Sequence, residues 1–530
     1  MRPETIALLD ELAKAGPRVW EVIEKLLPAA DSSLVDEIRR RRAAGLLDYS
    51  ARPFISLLGE MKHLAEAALA LRDFLRMPEP DDVAAALRAL GPRLGRADGP
   101  MLVPFLAHRD RAIRVAAIPA AAMTGDAQLA DHIVNSLEAE DSDERMQAAI
   151  AIGHLRAVRF ADAIAARLPT ERGRVFSAFT AALEMLGSRE VIPILVDSLR
   201  KADADQIWDV THALWVLAGV DPVVDDGRRE PGAQERLRRE WLRAYDDGRL
   251  ARPPAPMVGD LHALGRALVS FSVEFGLGAL RFDFDPPTPG TPWPRWERSL
   301  YVGGSRVYDV GSTCGTCETL LRLVAWPGED VATVATQMEI SEAPLTPGWV
   351  KAWTPLLRQL RSGRYLASLL SLRVERVDEQ RARDSWFVGR DRFRGGEEVV
   401  EDDAVASRWP GTTHYQGARL ENNTYPIVVP SRNLADLDEA RVCDFQRRIE
   451  QGERPCVVAL GWVDEREIQG EWQERFLNLV VLNGHHRLEA YSRTGVPAPI
   501  AVFARVADSW GPPETPDQWL LETFGALAGT

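Results

Sequence analysis

The feature that most constrains this chain is a helical unit that recurs down its N-terminal half. DRAIRVAAIPAAAMTG begins at Asp110, DERMQAAIAIGHLRA at Asp143, RGRVFSAFTAALEMLGS at Arg172 and DQIWDVTHALWVLAGV at Asp205, in steps of 33, 29 and 33 residues. Each copy has a polar start, an Ala-rich apolar run and a small residue near its end. A second apolar segment precedes each one: MLVPFLAH, HIVNSLEAE, DAIAARLP and IPILVDSLRK. Spacings of three and four, as in Leu64, Ala67, Ala68, Leu71 and Leu75, or Val83, Leu87, Leu90 and Leu94, give each helix one apolar stripe. A helix pair of this size cannot bury its faces alone, so the copies must stack on their neighbours. From Met1 to Tyr245 there is almost no strand pattern, and Pro and Gly fall between the runs.

The pattern resembles HEAT-type repeats, including the short Ala-rich form found in bacterial proteins. The match is good over residues 100–220 and looser over 50–100. The resemblance implies an α-solenoid over residues 1–250 whose concave surface binds a protein partner. His108, His132, His154 and His212 lie in these helices and read as structural or surface histidines, not ligands.

At 530 residues the chain exceeds one ordinary domain, and roughly three or four is the expectation. A hydrophobic content of 46% with 27% charged residues fits a water-exposed globular protein. No apolar run approaches the ~18 residues of a membrane span, so no membrane partner is expected. The opening MRPETIALLDELAK carries acids among its apolar positions and has no signal-peptide core, which predicts a cytoplasmic protein. Four cysteines exclude a disulfide framework. A formal charge of -14 makes nucleic acid an unlikely partner, since such binding neutralises phosphates with Lys and Arg.

After Arg252-Pro253-Pro254-Ala255-Pro256 the composition shifts, and residues 255–420 read as an α+β middle region. FDFDPPTPGTPWPRW, from Phe282 to Trp296, looks like an ordered aromatic loop. A short strand, Arg306 to Val310, leads into Cys314-Gly315-Thr316-Cys317 and then an expected amphipathic helix through Leu320, Leu321 and Leu323. Three readings of the two cysteines stand side by side. They are a redox pair with a thiolate stabilised by a helix N-terminus, half of a zinc site, or two small residues capping a helix. Glu339 to Asp403 reads as helical in its first half and polar in its second, with charge runs at 378–384 and 395–398 taken as solvated.

From Tyr425 the pattern is orderly again. A strand ends at Val429 and a Pro-Ser turn. A helix with Leu437, Val442, Phe445 and Ile449 on one face is closed by Gly452. Apolar strands follow at Cys456–Trp462 and Leu477–Leu482, with a charged hairpin or insertion between them. Asn483-Gly484 then turns into His485-His486-Arg487, which opens a helix ended by Gly495, and Ile500 to Arg505 is a last strand. Free backbone N–H groups, two imidazoles and a guanidinium at one helix N-terminus suit an anion such as phosphate.

The order strand, helix, strand, strand–NGHHR–helix, strand over Tyr425 to Val506 resembles the ParB/sulfiredoxin-like superfamily. The whole chain is therefore expected to be multidomain, α + α/β: a HEAT-like solenoid, the middle region, and a ParB/sulfiredoxin-like α/β domain over 421–530. The resemblance implies nucleotide handling, with ATP or CTP and Mg²⁺ at Asn483, Gly484, His485, His486 and Arg487. Gly484 would admit the phosphate to the backbone and Arg487 would pair its oxygens. His485, His486 and Glu489 are the candidate catalytic residues, and Cys314 and Cys317 the candidate metal ligands. Asn483 replaces the acid of many relatives. The sulfiredoxin cysteine is a histidine here, so sulfinic-acid reduction is not expected, and the helix-turn-helix of partitioning proteins is not seen. The expected function is a phosphotransferase or NTPase whose helical repeats select a protein partner. The alternative is a non-catalytic scaffold or nucleotide sensor, with a nuclease behind both. Glu439, Asp444 and Asp464 are candidate metal carboxylates by their place in the domain alone.

Overall fold

A computed structural model describes residues 2–47, 51–224, 232–265, 267–284, 289, 298–311, 320–327, 347–378, 411–418, 424–468, 471–509 and 520–524. The chain divides into two compact units, one built on Met1–Leu217 and one on Ala218–Asp285 with Trp296–Thr530. The first is helical and the second contains a mixed sheet. No described helix is long and apolar enough to cross a membrane.

In the helical unit the sequence starts and stops its own helices. Asp110 caps the helix Arg111–Thr124 through the Ala112 N–H at 2.8 Å, and Asp141 caps Ser142–His154 through the Glu144 N–H at 2.9 Å. Gly125 and Gly187 end their helices in the left-handed region, at φ 67° and 69°. The Ala-rich faces are buried and close on one another. A Cβ at Gly153 would lie 2.5 Å from the Met185 Cε and 3.1 Å from the Cα of Ala182, so a side chain there would have to push these neighbours aside.

Charged side chains follow the same rhythm. Arg114 holds both oxygens of buried Glu144 at 2.8 Å and reaches back to the carbonyls of His108 and Arg109. One helix further on, Arg145 repeats the device with Glu171 and the carbonyls of Ala139 and Glu140. Arg111–Asp141, Arg159–Asp131 and His212–Glu184 also join one helical segment to a later or earlier one.

The second unit begins upstream of the expected boundary at residue 250. Ser362 donates to the carbonyl of Asp221 at 2.7 Å and accepts from the Gly276 N–H, while Arg361 reaches the Asp221 carboxylate. The segment after Leu217 is thereby tied to the sheet. The strands are β1 Met257–Gly265, β2 Leu268–Glu274, β3 Leu280–Phe284, β4 Arg298–Val302, β5 Ser305–Gly311, β6 Leu320–Leu323, β7 Gly363–Leu372, β8 Val374–Val377, β9 His414–Gly417, β10 Thr424–Pro430, β11 Val457–Ile468, β12 Glu471–Asn483 and β13 Ala498–Arg505. Nine of them form one sheet in the order β1-β2-β7-β13-β11-β12-β10-β9-β8, and β3 to β6 form a second, antiparallel sheet. Strands expected in a middle region and in a C-terminal domain thus share one sheet, because β7 pairs with β13 along eight residues.

Alternation along the central strands builds two cores. Val458, Leu460, Trp462, Val480 and Leu482 face Phe282, Leu300 and Tyr308 of the small sheet and the short helices at 347–357. Val457, Ala459, Leu479 and Val481 face the helices Glu439–Glu450 and His485–Thr494 through Val442, Ile449, Leu488 and Tyr491. Covered on both faces, Val457–Val463 of β11, Leu477–Leu482 of β12 and Ala498–Ala504 of β13 read as near-continuous apolar runs.

Two sequence expectations change. Leu320–Leu323 is a strand paired with β5, not a helix, because three leucines within four residues carry no period of their own. In the stretch from Glu339, the described part is helical only over Pro347–Leu357 and then becomes β7 and β8. Cys314, Cys317, most of the aromatic segment and nearly all of both charge runs lie outside the described residues.

Candidate functional site

β10 and β12 are parallel, so they end at the same edge of the sheet, at Pro430 and Asn483. There the chain turns through Gly484 at φ 102°, and a Cβ at that position would meet the Cα of Val457 at 3.2 Å. Both the backbone angle and the space require glycine. The helix His485–Thr494 starts directly after it, with no side chain capping its N-terminus. Its first turn therefore presents backbone donors that no side-chain cap engages.

The two histidines point back at the segment between β10 and the helix Glu439–Glu450. His485 is buried, and its Nε2 accepts the N–H of Ser431 at 3.1 Å. His486 is buried beside it, and its Nε2 accepts the N–H of Asp438 at 3.0 Å. Asp438 in turn caps its helix by accepting the N–H groups of Ala440 and Arg441. Accepting a backbone N–H requires a neutral ring with its proton on Nδ1. Burial, with Arg432 and His486 nearby, pushes His485 down to about 3. Burial also lowers His486, helped by Arg441, Arg432 and Arg487 and opposed by Asp438.

Arg432 and Arg441 are exposed and make no ion pair among the described residues. Both lie close enough to His486, in the first turn of the helix, to disfavour its charge. Arg487 is differently placed. It donates to the carbonyl of Cys456 at 2.7 Å and lies over the Phe445 ring, bracing the start of β11 against the helix. Asn483 is the last residue of β12, opposite Val458.

Glu489 lies one turn along the helix and is buried. Its carboxylate accepts from the Tyr415 hydroxyl at 2.7 Å, from Arg376 at 3.0 Å and from Arg493 at 2.8 Å. Burial works against its charge, but these three donors outweigh burial and hold its carboxyl below the ordinary value. Arg493 also pairs with Glu439 at 3.0 Å, joining the two helices.

The structure brings Gly484, His485 and His486 together with Ser431, Arg432, Asp438 and Arg441. It sets Glu489 apart from them, among Tyr415 and Arg376. The sequence reading missed Arg432 and Arg441, whose only signal was a basic residue after the Pro-Ser turn and another at a helix start. The candidate metal carboxylates are dispersed and engaged. Glu439 pairs with Arg493 and Asp444 with Arg447, while buried Asp464 accepts from Trp462 and Asn478. Among the described residues no three His, Cys, Asp or Glu side chains group as a metal site. Burial pushes the Cys456 thiol up to about 12, which leaves it inert beside the turn. No protein-family model and no curated protein matches the chain.

Proposed function

We propose that the chain is a nucleotide-binding protein, in which a ParB/sulfiredoxin-like fold over Tyr425 to Val506 holds the ligand phosphates at the Gly484 turn. The observation that carries this reading is a convergence at one sheet edge. A glycine turn and a helix N-terminus without a side-chain cap stand there, and the exposed residues Arg432 and Arg441 lie close enough to His486 in its first turn to disfavour its charge. Two cations near a helix N-terminus, without carboxylate partners among the described residues, suit an anion with more than one negative charge, such as the phosphates of ATP or CTP with Mg²⁺. Gly484 and Asn483 supply close backbone approach. Arg487, already bonded to Cys456, orders the turn.

Phosphotransferase or NTPase chemistry needs a base and a metal-binding carboxylate in addition. His485 and His486 spend their Nε2 atoms on backbone N–H groups, and Glu489 is held by three side chains. These engagements favour the sensor or scaffold reading over turnover, with the three residues in positioning roles. We propose the helical unit as a HEAT-like solenoid that engages a protein partner. Support comes from the recurrence of one Arg–carboxylate–carbonyl device on successive helices.

Calorimetric titration of ATP, CTP and GTP, each with Mg²⁺, into wild type, Arg432→Ala and Arg441→Ala tests the reading. Binding by wild type that weakens about tenfold in each variant is expected for loss of one charge-assisted contact. Absence of binding by wild type overturns it. Phosphate release by wild type would restore the enzyme reading.

A further inference from the structure

The segment between β10 and the helix Glu439–Glu450 is fastened at two points by successive imidazoles. His485 takes the N–H of Ser431 at one end, and His486 takes the N–H of Asp438 at the other. Arg432, one of the two open cations of the site, lies between those two attachments. We propose that His485 and His486 form a proton-operated latch that fixes the Ser431–Asp438 segment when neutral and releases it when protonated.

The chemistry follows from donor and acceptor roles. A protonated imidazole has an N–H at both ring nitrogens and no acceptor. Opposite a backbone N–H it becomes a donor facing a donor, with only the Ser431 Oγ, 3.5 Å from the His485 Nε2, as a long alternative acceptor, in a site where the extra charge is also buried. The groups facing His485 are Arg432 from the latched segment and His486 from its own helix. Those facing His486 are Arg441 of the neighbouring helix, Arg432 of the segment and Arg487 of its own helix, with the Asp438 carboxylate as the one acid. Cations outnumber acids around both rings, so protonation is resisted while the segment is closed. In the open segment the rings return towards the ordinary histidine value, and each drop in pH favours opening. Release moves Arg432 away from the two histidines of the helix's first turn, so opening lowers affinity for an anion there. This consequence rests on the nucleotide reading above, whereas the latch itself does not.

The test is residue-resolved amide hydrogen exchange of the ligand-free full chain between pH 7.5 and 5, corrected for intrinsic rates. The amide of Ser431 is expected to lose protection by about tenfold per pH unit below ~6.5, and that of Asp438 to lose protection as pH falls over the same range. Amides in the centres of β11 and β12 should stay unchanged. His485→Gln and His486→Gln keep an acceptor near the Nε2 position but cannot titrate. Each is expected to flatten the profile at its own partner amide. A flat profile in wild type overturns the latch, as does protection that persists until the whole unit unfolds. Should either variant fail to fold, the wild-type profile decides alone. The same series with ATP and CTP separates the two ideas. Nucleotide that never binds while the slopes remain defeats the nucleotide reading only, and binding without any slope defeats the latch only.

Discussion

The two units hold themselves together over very different distances along the chain. In the helical unit, bonds between segments join residues about one repeat apart, as in Arg114–Glu144 with a separation of 30 and Arg145–Glu171 with 26. In the sheet unit they close far longer loops. Tyr308 donates to the carbonyl of Pro430 across 122 residues, Arg376 reaches Glu489 across 113, and Arg505 reaches the carbonyl of Ser362 across 143. Short-range bonding spreads stability over near-neighbour interfaces, so damage stays near its site. Long-range bonding makes the β10–β13 core depend on strands drawn from distant parts of the chain, so damage there spreads.

The largest expected effect is on acid stability, and it sets the two units apart in sign. His485, held down to about 3, and His414 of β9, held down by burial to about 4, are neutral when folded and near 6.5 when unfolded. The unfolded state therefore binds more protons below pH 6.5. Stability of the sheet unit is present above that value and is lost as pH falls, by about 2 kcal/mol for each histidine at pH 5. In the helical unit burial raises Asp209 to about 6, against its hydrogen bond from Ser177. There the folded state binds more protons between pH 4 and 6, so this group favours folding as pH falls. Urea unfolding at pH 7.5 and 5, followed by exchange in each unit, checks both signs. A helical unit that loosens as much as the sheet would break the contrast.

Glu489→Ala comes next. It strips Tyr415, Arg376 and Arg493 of a shared buried acceptor, and about 3 kcal/mol of unfolding free energy is expected to go. Exchange should rise in β8, β9 and both helices, not at one site. Gly484→Ala should cost about 2 kcal/mol through a left-handed backbone and the contact with Val457. Arg114→Ala should cost about 1 kcal/mol, since Arg114 is partly exposed although Glu144 is not. Its exchange footprint should stay within the helices from Gly99 to His154. A footprint that reached the end of the helical unit would refute the local picture.

Much of the helical unit was legible because its information is local. Asp110 and Asp141 mark helix starts within three residues of the bonds they make, and Gly125 and Gly187 mark the ends. The turn of the candidate site was legible for the same reason, as an apolar strand, Asn483-Gly484 and a helix. What the histidines do was not. Their partners stand 54 and 48 residues upstream, and nothing in NGHHR indicates that Nε2 will be an acceptor for Ser431 and Asp438. Arg432 and Arg441 likewise come near His486 only once β10 lies parallel to β12. The helix expected at Leu320 failed because three leucines within four residues fit either period, and pairing with β5 decided between them.

The sequence by itself determined where helices start and stop, the repeat of the N-terminal half, and the glycine turn that opens a helix at the end of β12. These depend on backbone angles, capping and apolar period, which act within a few residues. Only the tertiary structure decided that two stretches of chain share one nine-stranded sheet, that Glu489 is the acceptor of a buried network, and that two imidazoles hold a distant segment. Each of those is a partnership between groups far apart in the chain. Their partners are set by strand order and burial, which short sequence patterns do not encode.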